Sequence, residues 1–389
     1  MRFPEFSGEW NKYTINDLAT VVGGGTPDTT VKSYWGGDIQ WFTPSEIGKN
    51  KYVDFSKRTI TRDGLDNSSA KLLPLHTILL SSRATVGECS IASNECTTNQ
   101  GFQSLIAKQC NIDFLYYLIQ TKKKDLIRNA CGSTFLEISA NEIRKIKVAV
   151  PVQNEQEQIA KLLSLIDERI ATQNKIIEKY ESLIKGLNDS LYKQYGNAIT
   201  TSFADLGHSY SGLSGKSAED FGSGKPFITY LNVYSNSVVN ENDYQYVRIS
   251  DGEKQNVVKY GDVLFTLSSE TPEEVGIGSI YLGKSDVYLN SFCFGIHITD
   301  TKVAFPPYLS YYVSSTPFRK FIYPYAQGST RFNLCKADFE KARIKIPSLE
   351  NQKRIYFILS HIASKVKTET KLLDLFRLQK QSLLRQMFI

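Results

Sequence analysis

Apolar residues recur at alternating intervals of four and three residues in two long segments of the chain. The segments span about 154–193 and 350–389, and neither contains a proline. A sustained period of 3.5 residues is typical of a coiled-coil seam, because it keeps one narrow apolar stripe facing a partner helix. The pattern therefore predicts two long helices. The seam positions are Ile159, Leu163, Ile166, Ile170, Ile177 and Leu187 in the first helix and Ile355, Leu359, Ile362, Val366, Leu373 and Leu383 in the second.

Two ordinary amphipathic helices, each packed on its own domain, are the alternative to a coiled coil. Length favours the coiled coil, because Glu155 to Lys193 is 39 residues and corresponds to about 58 Å of helix. Two polar residues, Gln173 and Glu369, occupy equivalent seam positions. Polar seam residues fix the register at a cost in stability. This pair is therefore a candidate for aligning the helices; otherwise each residue lies where the seam meets solvent.

The chain contains an internal repeat that includes both long helices. Residues 130–193 align without a gap on residues 326–389, at an offset of 196, with 14 identities in 64 positions. Each copy begins with a Gly-Ser-Thr turn and continues with a short strand in which charged and apolar residues alternate. A proline, Pro151 or Pro347, ends the strand, and the long helix follows. The predicted strands are 145–150 and 341–346.

The two segments outside the long helices have the composition of small mixed domains. Residues 1–129 and about 197–325 are rich in Gly, Ser, Thr, Tyr and Phe, with short apolar runs between turn residues. They resemble each other only in outline, which indicates a shared scaffold with diverged surfaces. The predicted fold class is α+β, with two globular domains and two long helices in an antiparallel coiled coil, as a pseudo-twofold tandem repeat. The predicted boundaries are 1–151 for the first domain, 152–196 for the first helix, 197–347 for the second domain and 348–389 for the second helix.

Overall composition is that of an ordinary folded protein with a mild basic excess. The 46 Lys and Arg residues outnumber the 40 Asp and Glu residues, which gives a net charge of +6. This balance permits a nucleic-acid partner without demanding one. The sequence lacks an apolar run of about 18 residues, so no membrane span is predicted. The six cysteines have no Cys-x-x-Cys spacing, and we expect reduced thiols in a cytoplasmic protein.

The sequence contains fragments of catalytic motifs, and each lacks an essential residue. Gly-Lys-Ser at 215–217 resembles the end of a phosphate-binding loop, but Tyr210 stands where that loop needs its first glycine. Phe305 replaces the asparagine of an Asn-Pro-Pro-Tyr box, whose carbonyl accepts a hydrogen bond from adenine in amino-methyltransferases. The four histidines are far apart and have no metal-ligand spacing. We therefore predict no catalytic residue, no metal and no cofactor, and we expect a binding or assembly protein.

The order of the elements is similar to that of one known family. A variable segment, a Gly-Ser-Thr turn, a strand, a proline and a long helix follow one another twice. In this order the chain resembles the specificity subunit of type I restriction–modification systems over essentially its whole length. The second copy departs at 351–354, where Asn-Gln-Lys-Arg replaces the Glu-Gln-Glu-Gln of 155–158. The stretches that carry the resemblance are 130–151, 154–160 and their second copies, 34–39 with Trp41, 80–87 and 99–102.

The resemblance implies a non-enzymatic subunit that recognises double-stranded DNA. Each of its two target-recognition domains would read one half of a bipartite site. The antiparallel helices would space the domains and dock two methyltransferase subunits, and the restriction subunits, which translocate DNA, would join that complex. A helix of about 58 Å limits the separation of the domains to one or two turns of DNA, at about 34–36 Å per turn.

Candidate DNA contacts lie in loops that present polar groups beside predicted strands. Arg pairs with guanine, Asn and Gln pair with adenine, and Lys, Ser and Thr commonly hold phosphates. For each residue, hydrogen bonding within a loop or at the core edge is the alternative, and for Lys123 the alternative is a solvated helix face. The candidates are Trp41, Thr43, Ser45, Ser81, Ser82, Arg83, Thr98, Asn99, Gln100 and Lys123 in the first domain and Tyr230, Asn232, Ser268, Ser269 and Asn290 in the second.

Two other classes of function are compatible with the sequence. One is a structural adaptor whose coiled coil joins other proteins without binding DNA. The other is an enzyme whose site is assembled from distant residues. DNA affinity that falls log-linearly with salt separates a DNA-binding subunit from the adaptor. An assay of the isolated chain for methyl transfer or nuclease activity tests the enzyme.

Overall fold

The structure is a computed structural model that describes residues 2–132 and 136–388. It consists of two compact units, Met1–Lys175 with Thr370–Ile389 and Ile176–Glu369. Each long helix thus contributes one part to each unit. The predicted boundaries, which treat the helices as segments of their own, stay a prediction. Ser133 and Thr134 of the first Gly-Ser-Thr turn lie outside the described residues.

The first unit contains two β-sheets and the helices that pack on them. Its elements in chain order are β1 (Asn11–Thr14), α1 (Ile15–Leu18), β2 (Ala19–Gly23), β3 (Trp35–Phe42), β4 (Tyr52–Val53), β5 (Arg58–Ile60), α2 (Arg62–Asp66), β6 (Ile78–Leu80), β7 (Cys89–Ala92), β8 (Cys96–Thr98), β9 (Gln103–Ala107), α3 (Ile112–Thr121), α4 (Lys123–Arg128), α5 (Ala140–Lys145), β10 (Lys147–Val150) and α6 (Gln153–Tyr195), the last of which continues into the second unit. One sheet has the strand order β2-β9-β6-β7-β4 and the other β5-β3-β8. A separate ribbon pairs β1 with β10, with Asn11 opposite Val150.

The second unit repeats this arrangement, although some short strands of one unit are present only as isolated bridges in the other. Its elements are β11 (Ile199–Thr201), α7 (Phe203–Leu206), β12 (Gly207–Ser211), β13 (Phe221–Ile228), α8 (Tyr230–Ser235), β14 (Gln245–Val247), β15 (Val263–Thr266), β16 (Ser268–Ser269), β17 (Gly278–Ile280), β18 (Tyr288–Leu289), β19 (Cys293–Ile298), α9 (Pro306–Tyr312), α10 (Thr316–Ile322), β20 (Ala326–Gln327), β21 (Phe332–Leu334), α11 (Lys336–Lys341), β22 (Ile344–Ile346) and α12 (Leu349–Met387), whose end belongs to the first unit. The sheet β12-β19-β15-β17 corresponds to β2-β9-β6-β7, and β14-β13-β18 corresponds to β5-β3-β8. Ile199 lies opposite Ile346 in the ribbon of β11 and β22. The duplication therefore extends through both whole domains.

The core of each unit includes the adjoining part of a long helix. In the first unit, Phe114 and Tyr117 of α3 are fully buried in the same cluster as Ile159 and Leu163 of α6. The second unit has an aromatic core, in which the rings of Phe265 and Phe339 lie 5.1 Å apart. Burying large apolar side chains against a helix contributes about 1.5–3 kcal/mol each. Parts of both long helices therefore belong to the cores of the two units.

The helix seam lies where the 4-3 spacing predicts it. All twelve predicted seam positions are buried or half-buried. In the first unit, Met387 near the end of α12 joins the cluster of Ile159 and Leu163 near the start of α6. Further along, Lys380 Nζ lies 2.7 Å from Asp167 Oδ1. Residues further along α6 thus contact residues that lie earlier on α12, so the two helix segments run antiparallel in this unit.

The helix segments of the second unit also run antiparallel. Leu187 and Leu191 of α6 pack against the core that contains Ile355 and Leu359 of α12. The Tyr192 hydroxyl, near the end of α6, donates to the carbonyl of residue 345, just before α12 begins, at 3.0 Å. The antiparallel coiled-coil packing predicted from the sequence is confirmed within each unit.

Two predicted strands begin later than the alternation of charged and apolar residues indicates. β10 starts at Lys147 and β22 at Ile344, because the helices α5 and α11 occupy the residues before them. Ser139 caps α5 by accepting a hydrogen bond from the backbone of Glu142 at 3.3 Å, which sets the helix start. Ile143 and Phe339, one in each helix, are fully buried. Each of these helices has six residues and one buried side chain, which is too short to show a helical period in the sequence.

A buried glutamine ties the start of the first long helix to its domain. Gln156 is 5 % exposed. Its Nε2 donates to the carbonyl of Pro151 at 2.9 Å, and its Oε1 accepts from the backbone N–H of Asn111, which caps α3, at 3.0 Å. One side chain thus joins the end of β10, the start of α6 and the start of α3.

The equivalent glutamine makes the same contacts in the second copy. Gln352 is fully buried. Its Nε2 donates to the carbonyls of Pro347 and Val303, both at 2.8 Å, and its Oε1 accepts from the backbone N–H of Phe305 at 2.7 Å. Phe305 stands at the start of α9, as Asn111 stands at the start of α3. The identity of these two glutamines in the repeat therefore has a structural cause.

The preceding repeat position holds Glu155 in the first copy and Asn351 in the second. This difference also has a structural cause. Glu155 is fully buried and accepts from Arg2, with Nε to Oε1 at 2.7 Å and Nη2 to Oε2 at 2.6 Å. Trp10 Nε1 lies 3.3 Å from the same carboxylate. A buried carboxylate without a partner destabilises a fold by several kcal/mol. The glutamate is thus tied to the N-terminal segment of the first unit, whereas Asn351 carries no charge that needs such a partner.

We expect Gln156→Leu to lower the free energy of unfolding of the first unit by about 1–3 kcal/mol, because the Pro151 carbonyl and the Asn111 N–H lose their partner. Gln158→Leu, on the exposed face of the same helix turn, is the matched control and should stay within about 0.5 kcal/mol. Urea unfolding combined with hydrogen exchange of α3 measures both variants. Equal stability of the two would contradict the role of the buried glutamine.

Candidate functional site

Five connecting segments of the first unit meet at one end of its sheets, which we call the first loop end. They contain eight of the ten candidate residues of this domain, all except Trp41 and Lys123. The segments are 24–26 after β2, 43–46 after β3, 81–85 after β6, 98–101 after β8, and 131–132 with 136–138 before α5.

Hydrogen bonds between these segments fix the first loop end. Gly25 N donates to Thr98 O and Ser82 N donates to Gly101 O, both at 2.8 Å. The Asn99 side-chain carbonyl accepts from Gly101 N at 2.9 Å, which closes an Asx turn. Backbone hydrogen bonds and an Asx turn therefore connect the loops, and the remaining side chains project from this support.

Arg83 and Gln100 carry solvent-facing polar groups of the first loop end. The Arg83 side chain is 45 % exposed, and its Nε lies 3.8 Å from Glu137 Oε2. Gln100 is exposed and its Oε1 accepts the Thr26 hydroxyl. Ser45 is exposed beside them. Exposed ion pairs contribute little free energy, so the guanidinium can exchange Glu137 for a stronger acceptor.

Three other candidates of this domain, Trp41, Ser81 and Thr43, form hydrogen bonds within the fold. Trp41 Nε1 donates to the carbonyl of Gly25 at 2.9 Å, and Ser81 Oγ donates to the carbonyl of Arg83 at 3.0 Å. The half-buried Thr43 donates to the Glu46 carboxylate at 2.6 Å. The candidates whose side chains are buried are Trp41, Ser81, Ser82 and Thr98.

Lys123 lies apart from the first loop end. It begins α4, and its Nζ pairs with the carboxylate of Glu88. Together with Lys51 and Lys380 it borders a cavity of about 820 Å³ beside the long helices. The phosphate contact suggested for this lysine stays a prediction, and it would have to compete with an existing ion pair.

The second unit has a corresponding end, which we call the second loop end and which contains residues 229–232, 268–274, 290–292 and 331. Its side chains differ from those of the first loop end. The Tyr230 hydroxyl donates to the carbonyl of Ser268 at 2.7 Å. Ser269 Oγ and the Tyr234 hydroxyl donate to Glu274 at 3.0 and 2.7 Å. These hydrogen bonds, that from Tyr234 first, lower the pKa of Glu274, so the carboxylate is ionised at neutral pH. Ser268 and Ser269 are buried.

The two candidate asparagines of the second domain, Asn290 and Asn232, make different hydrogen bonds. The Asn290 side-chain carbonyl accepts from Phe292 N at 2.9 Å, which is the Asx turn that Asn99 forms in the first unit. Asn232 is fully buried, and its Nδ2 donates to the carbonyls of Asn240 and Asp243 at 2.9 and 3.2 Å. Asn232 consequently holds a loop and presents no group to solvent.

Three residues of the second loop end escaped the sequence reasoning. Leu231, with Arg331 and the candidate Tyr230, lines a cavity of about 570 Å³. The Arg331 Cζ lies 5.9 Å from the centre of the Phe292 ring, and Phe292 is 55 % exposed. The preference for polar groups in loops does not single out leucine or phenylalanine.

Within 2–132 and 136–388, no group of three or more His, Cys, Asp or Glu side chains is placed to hold a metal ion. Burial raises the pKa of the Cys89 and Cys96 thiols to about 12, which makes them poor nucleophiles at neutral pH. None of the described helices is long and apolar enough to cross a membrane.

The fold and the two loop ends define a duplicated protein with two similar domains, each of which is followed by a long helix. A family model described as "Type I restriction modification DNA specificity domain" matches residues 7–182 and, a second time, residues 204–375. The chain therefore belongs to this family and carries two such domains.

Individual relatives agree with this assignment. The chain is 40 % identical over 182 residues to the type I restriction enzyme MjaIX specificity subunit of Methanocaldococcus jannaschii, and the match covers 44 % of this chain and 41 % of that subunit. In this match the chain thus spans less than half of its relative's length.

Two solved structures share the fold over nearly the whole chain. A type I restriction-modification S subunit from M. genitalium has a TM-score of 0.54 at 16 % identity, covering 100 % of this chain and 99 % of that one. A chain from a study of complex assembly and conformational transition of the type I R-M system has a TM-score of 0.62 at 14 % identity, covering 98 % of each chain.

We expect Ala84→Gly to raise the free energy of unfolding by about 0.5–1 kcal/mol. Ala84 follows Arg83 in the first loop end with a φ of 64°, a conformation that costs an L-residue about 1–2 kcal/mol and that glycine adopts freely. Ala171→Gly, on the exposed face of α6, is the control with the opposite sign, a loss of about 1 kcal/mol. Urea unfolding measures both. A loss of stability in Ala84→Gly as large as that in the control would contradict this conformation.

Proposed function

We propose that this chain is the DNA-specificity subunit of a type I restriction–modification complex. The observation that carries the proposal is the repeated match to the DNA specificity domain, on two units with one backbone frame and unlike loop-end side chains. Two like scaffolds with unlike surfaces are suited to a bipartite DNA site whose halves differ in sequence. In this assignment, residues 1–151 and 197–347 are the target-recognition domains, and each reads one half-site.

The recognition surface of the first domain is the first loop end. Arg83 and Gln100 are exposed there, and their side chains are those that pair with guanine and adenine edges in the major groove. Ser45, which is exposed, supplies a hydroxyl for phosphates or bases. Of the buried candidates, Trp41 and Ser81 act behind this surface by fixing the loops. In the second domain, the candidates Tyr230 and Asn290 lie at the second loop end.

The chain itself carries out no catalysis in this proposal, and it needs no cofactor or metal of its own. Methyltransferase subunits, two per chain, would supply methyl transfer, and restriction subunits, which translocate DNA, would complete the assembly. The complex would act on double-stranded DNA in the cytoplasm. An assay of the purified chain, alone and with its methyltransferase, tests this division of labour, because turnover abolished by a substitution in this chain alone would contradict it.

Exposed apolar side chains on the long helices support a protein partner there. In the first unit, Leu375 and Leu378 are 61 % and 60 % exposed. Leu165, Leu372 and Phe376 line a neighbouring groove of about 470 Å³. Apolar groups that recur along one helix favour a helical partner surface. The methyltransferase is the partner expected on this family's helices.

We expect Arg83→Ala or Gln100→Ala to relax base preference at positions in one half-site only. Losing a good bidentate contact costs about 1–3 kcal/mol of discrimination. Arg377→Ala, an equal loss of charge on α12, is the control and should leave base preference unchanged. Binding of the chain with its methyltransferase to a panel of single-base site variants, at several salt concentrations, measures all three. Log-linear salt dependence is expected for the wild type.

The outcomes separate the alternatives. Binding without sequence preference or salt dependence would favour the adaptor and refute the proposed function. A change of preference in both half-sites on Arg83→Ala would refute the assignment of the first loop end to one half.

We expect the double substitution Leu375→Ser and Leu378→Ser to weaken recovery of the methyltransferase subunit with this chain at least ten-fold. The reason is that two exposed leucines, about 1.5–3 kcal/mol each when buried, would lose their contact. Gln379→Ser with Gln381→Ser, on exposed positions of the same turns, is the control. Size-exclusion chromatography of the co-expressed proteins measures recovery. Unchanged recovery would place the partner elsewhere.

A further inference from the structure

The two loop ends share a backbone frame that can be matched residue by residue. Ser82 N donates to Gly101 O at 2.8 Å in the first unit, and Leu267 N donates to Phe292 O at 2.9 Å in the second. The next residue of each accepting segment, at 102 or 293, forms a β-pair with the segment that donates this hydrogen bond. Gly101 therefore corresponds to Phe292.

A second match places Arg83 opposite a serine. Arg83 forms a β-bridge with Glu137, and Ser268 pairs with Asn333. Glu137 and Asn333 are separated by 196 residues, the offset of the repeat. The charged group that faces solvent in the first unit is thus replaced by a small buried hydroxyl in the second.

A third match places a serine opposite a leucine. Thr43 and Thr229 each begin a helical turn directly after the long bent strand β3 or β13. Ser45, two residues after Thr43, therefore corresponds to Leu231, two residues after Thr229. At three matched positions, the side chains of Ser45, Arg83 and Gly101 give way to those of Leu231, Ser268 and Phe292.

Leu231 and Phe292 are both exposed, and neighbouring residues hold them in place. Leu231 is 67 % exposed and Phe292 is 55 % exposed. A single exposed apolar side chain needs no explanation, but these two replace small polar or glycine positions at one loop end. Arg331 links them, since it lines the same cavity as Leu231 and lies 5.9 Å from the Phe292 ring centre. The Asx turn of Asn290 holds Phe292 in place.

Charge at the second loop end favours base edges over phosphates. Glu270 and the ionised Glu274 line the cavity beside Leu231, with Arg331 as the basic residue among the lining side chains. Two carboxylates repel the DNA backbone, whereas a carboxylate can accept from the amino group of cytosine. Apolar side chains in the major groove contact the 5-methyl group of thymine.

Resting on the proposed function, we propose that the second domain reads its half-site through thymine methyl groups, with Leu231 and Phe292 as the specificity-determining side chains. The first domain reads through hydrogen bonds from Arg83 and Gln100. The two half-sites are therefore distinguished by the kind of contact as well as by sequence. A half-site read in this way contains at least one A·T pair whose methyl group meets the second loop end.

The test replaces thymine by uracil, which removes only the methyl group. The full chain with its methyltransferase subunits is bound to duplexes in which one thymine of the site at a time is deoxyuridine. At one or more positions of the second domain's half-site, we expect binding to weaken about four-fold, the effect of one buried methyl group. In Leu231→Ala or Phe292→Ala, the same replacement should have no effect, because the contact is already lost.

Two controls separate this proposal from its alternatives. Val238→Ala, an exposed apolar position of the same domain that does not line the cavity, should retain the response to deoxyuridine, and so should Phe292→Met, which keeps an apolar side chain. A half-site without an A·T pair, or a response that persists in both alanine variants, would overturn the proposal. So would loss of the methyltransferase in those variants with the deoxyuridine response unchanged, since the patch would then be a protein interface. Absence of sequence-specific binding by the wild type would instead refute the proposed function.

Discussion

The rest of each domain depends on one buried hydrogen-bonded glutamine at the start of a long helix. Gln156 and Gln352 join the end of a strand, the first turn of the coiled-coil helix and the first turn of a domain helix. Because three elements share one side chain, the helix direction is fixed relative to its own domain. The apolar seam then extends that direction along the helix, and the same core that folds the domain also anchors the helix.

A conserved internal frame leaves the loop ends able to diverge. Backbone hydrogen bonds and Asx turns, as at Asn99 and Asn290, hold the loops in both units. Such bonds do not depend on the neighbouring side chains, so Arg83 and Ser268, or Gly101 and Phe292, can occupy the same position without a change of fold. Separating support from surface in this way explains how one scaffold can serve two different recognition tasks.

The long-period features of the fold could be predicted from the sequence, and the local ones could not. The seam and the repeat have many equivalent positions, so errors at single residues do not matter. The loop candidates lacked this redundancy, since polarity alone cannot tell a serine that closes a turn from one that faces solvent. The sequence predicts Asn232 as a DNA contact, whereas in the structure its side chain is buried and supports a loop. Leu231 and Phe292 were missed, because their meaning emerges only when the two loop ends are matched.

We propose that the two domains are equivalent scaffolds whose surfaces alone specify the two half-sites. A chain in which residues 199–346 are replaced by residues 11–150 tests it, because both segments begin and end in the same β-ribbon, with Asn11 opposite Val150 and Ile199 opposite Ile346. Mapping methylated sites in cells that carry this chimera and the methyltransferase should yield the first domain's half-site in both halves. An unchanged target, or a folded chimera that retains the second half-site, would contradict the claim.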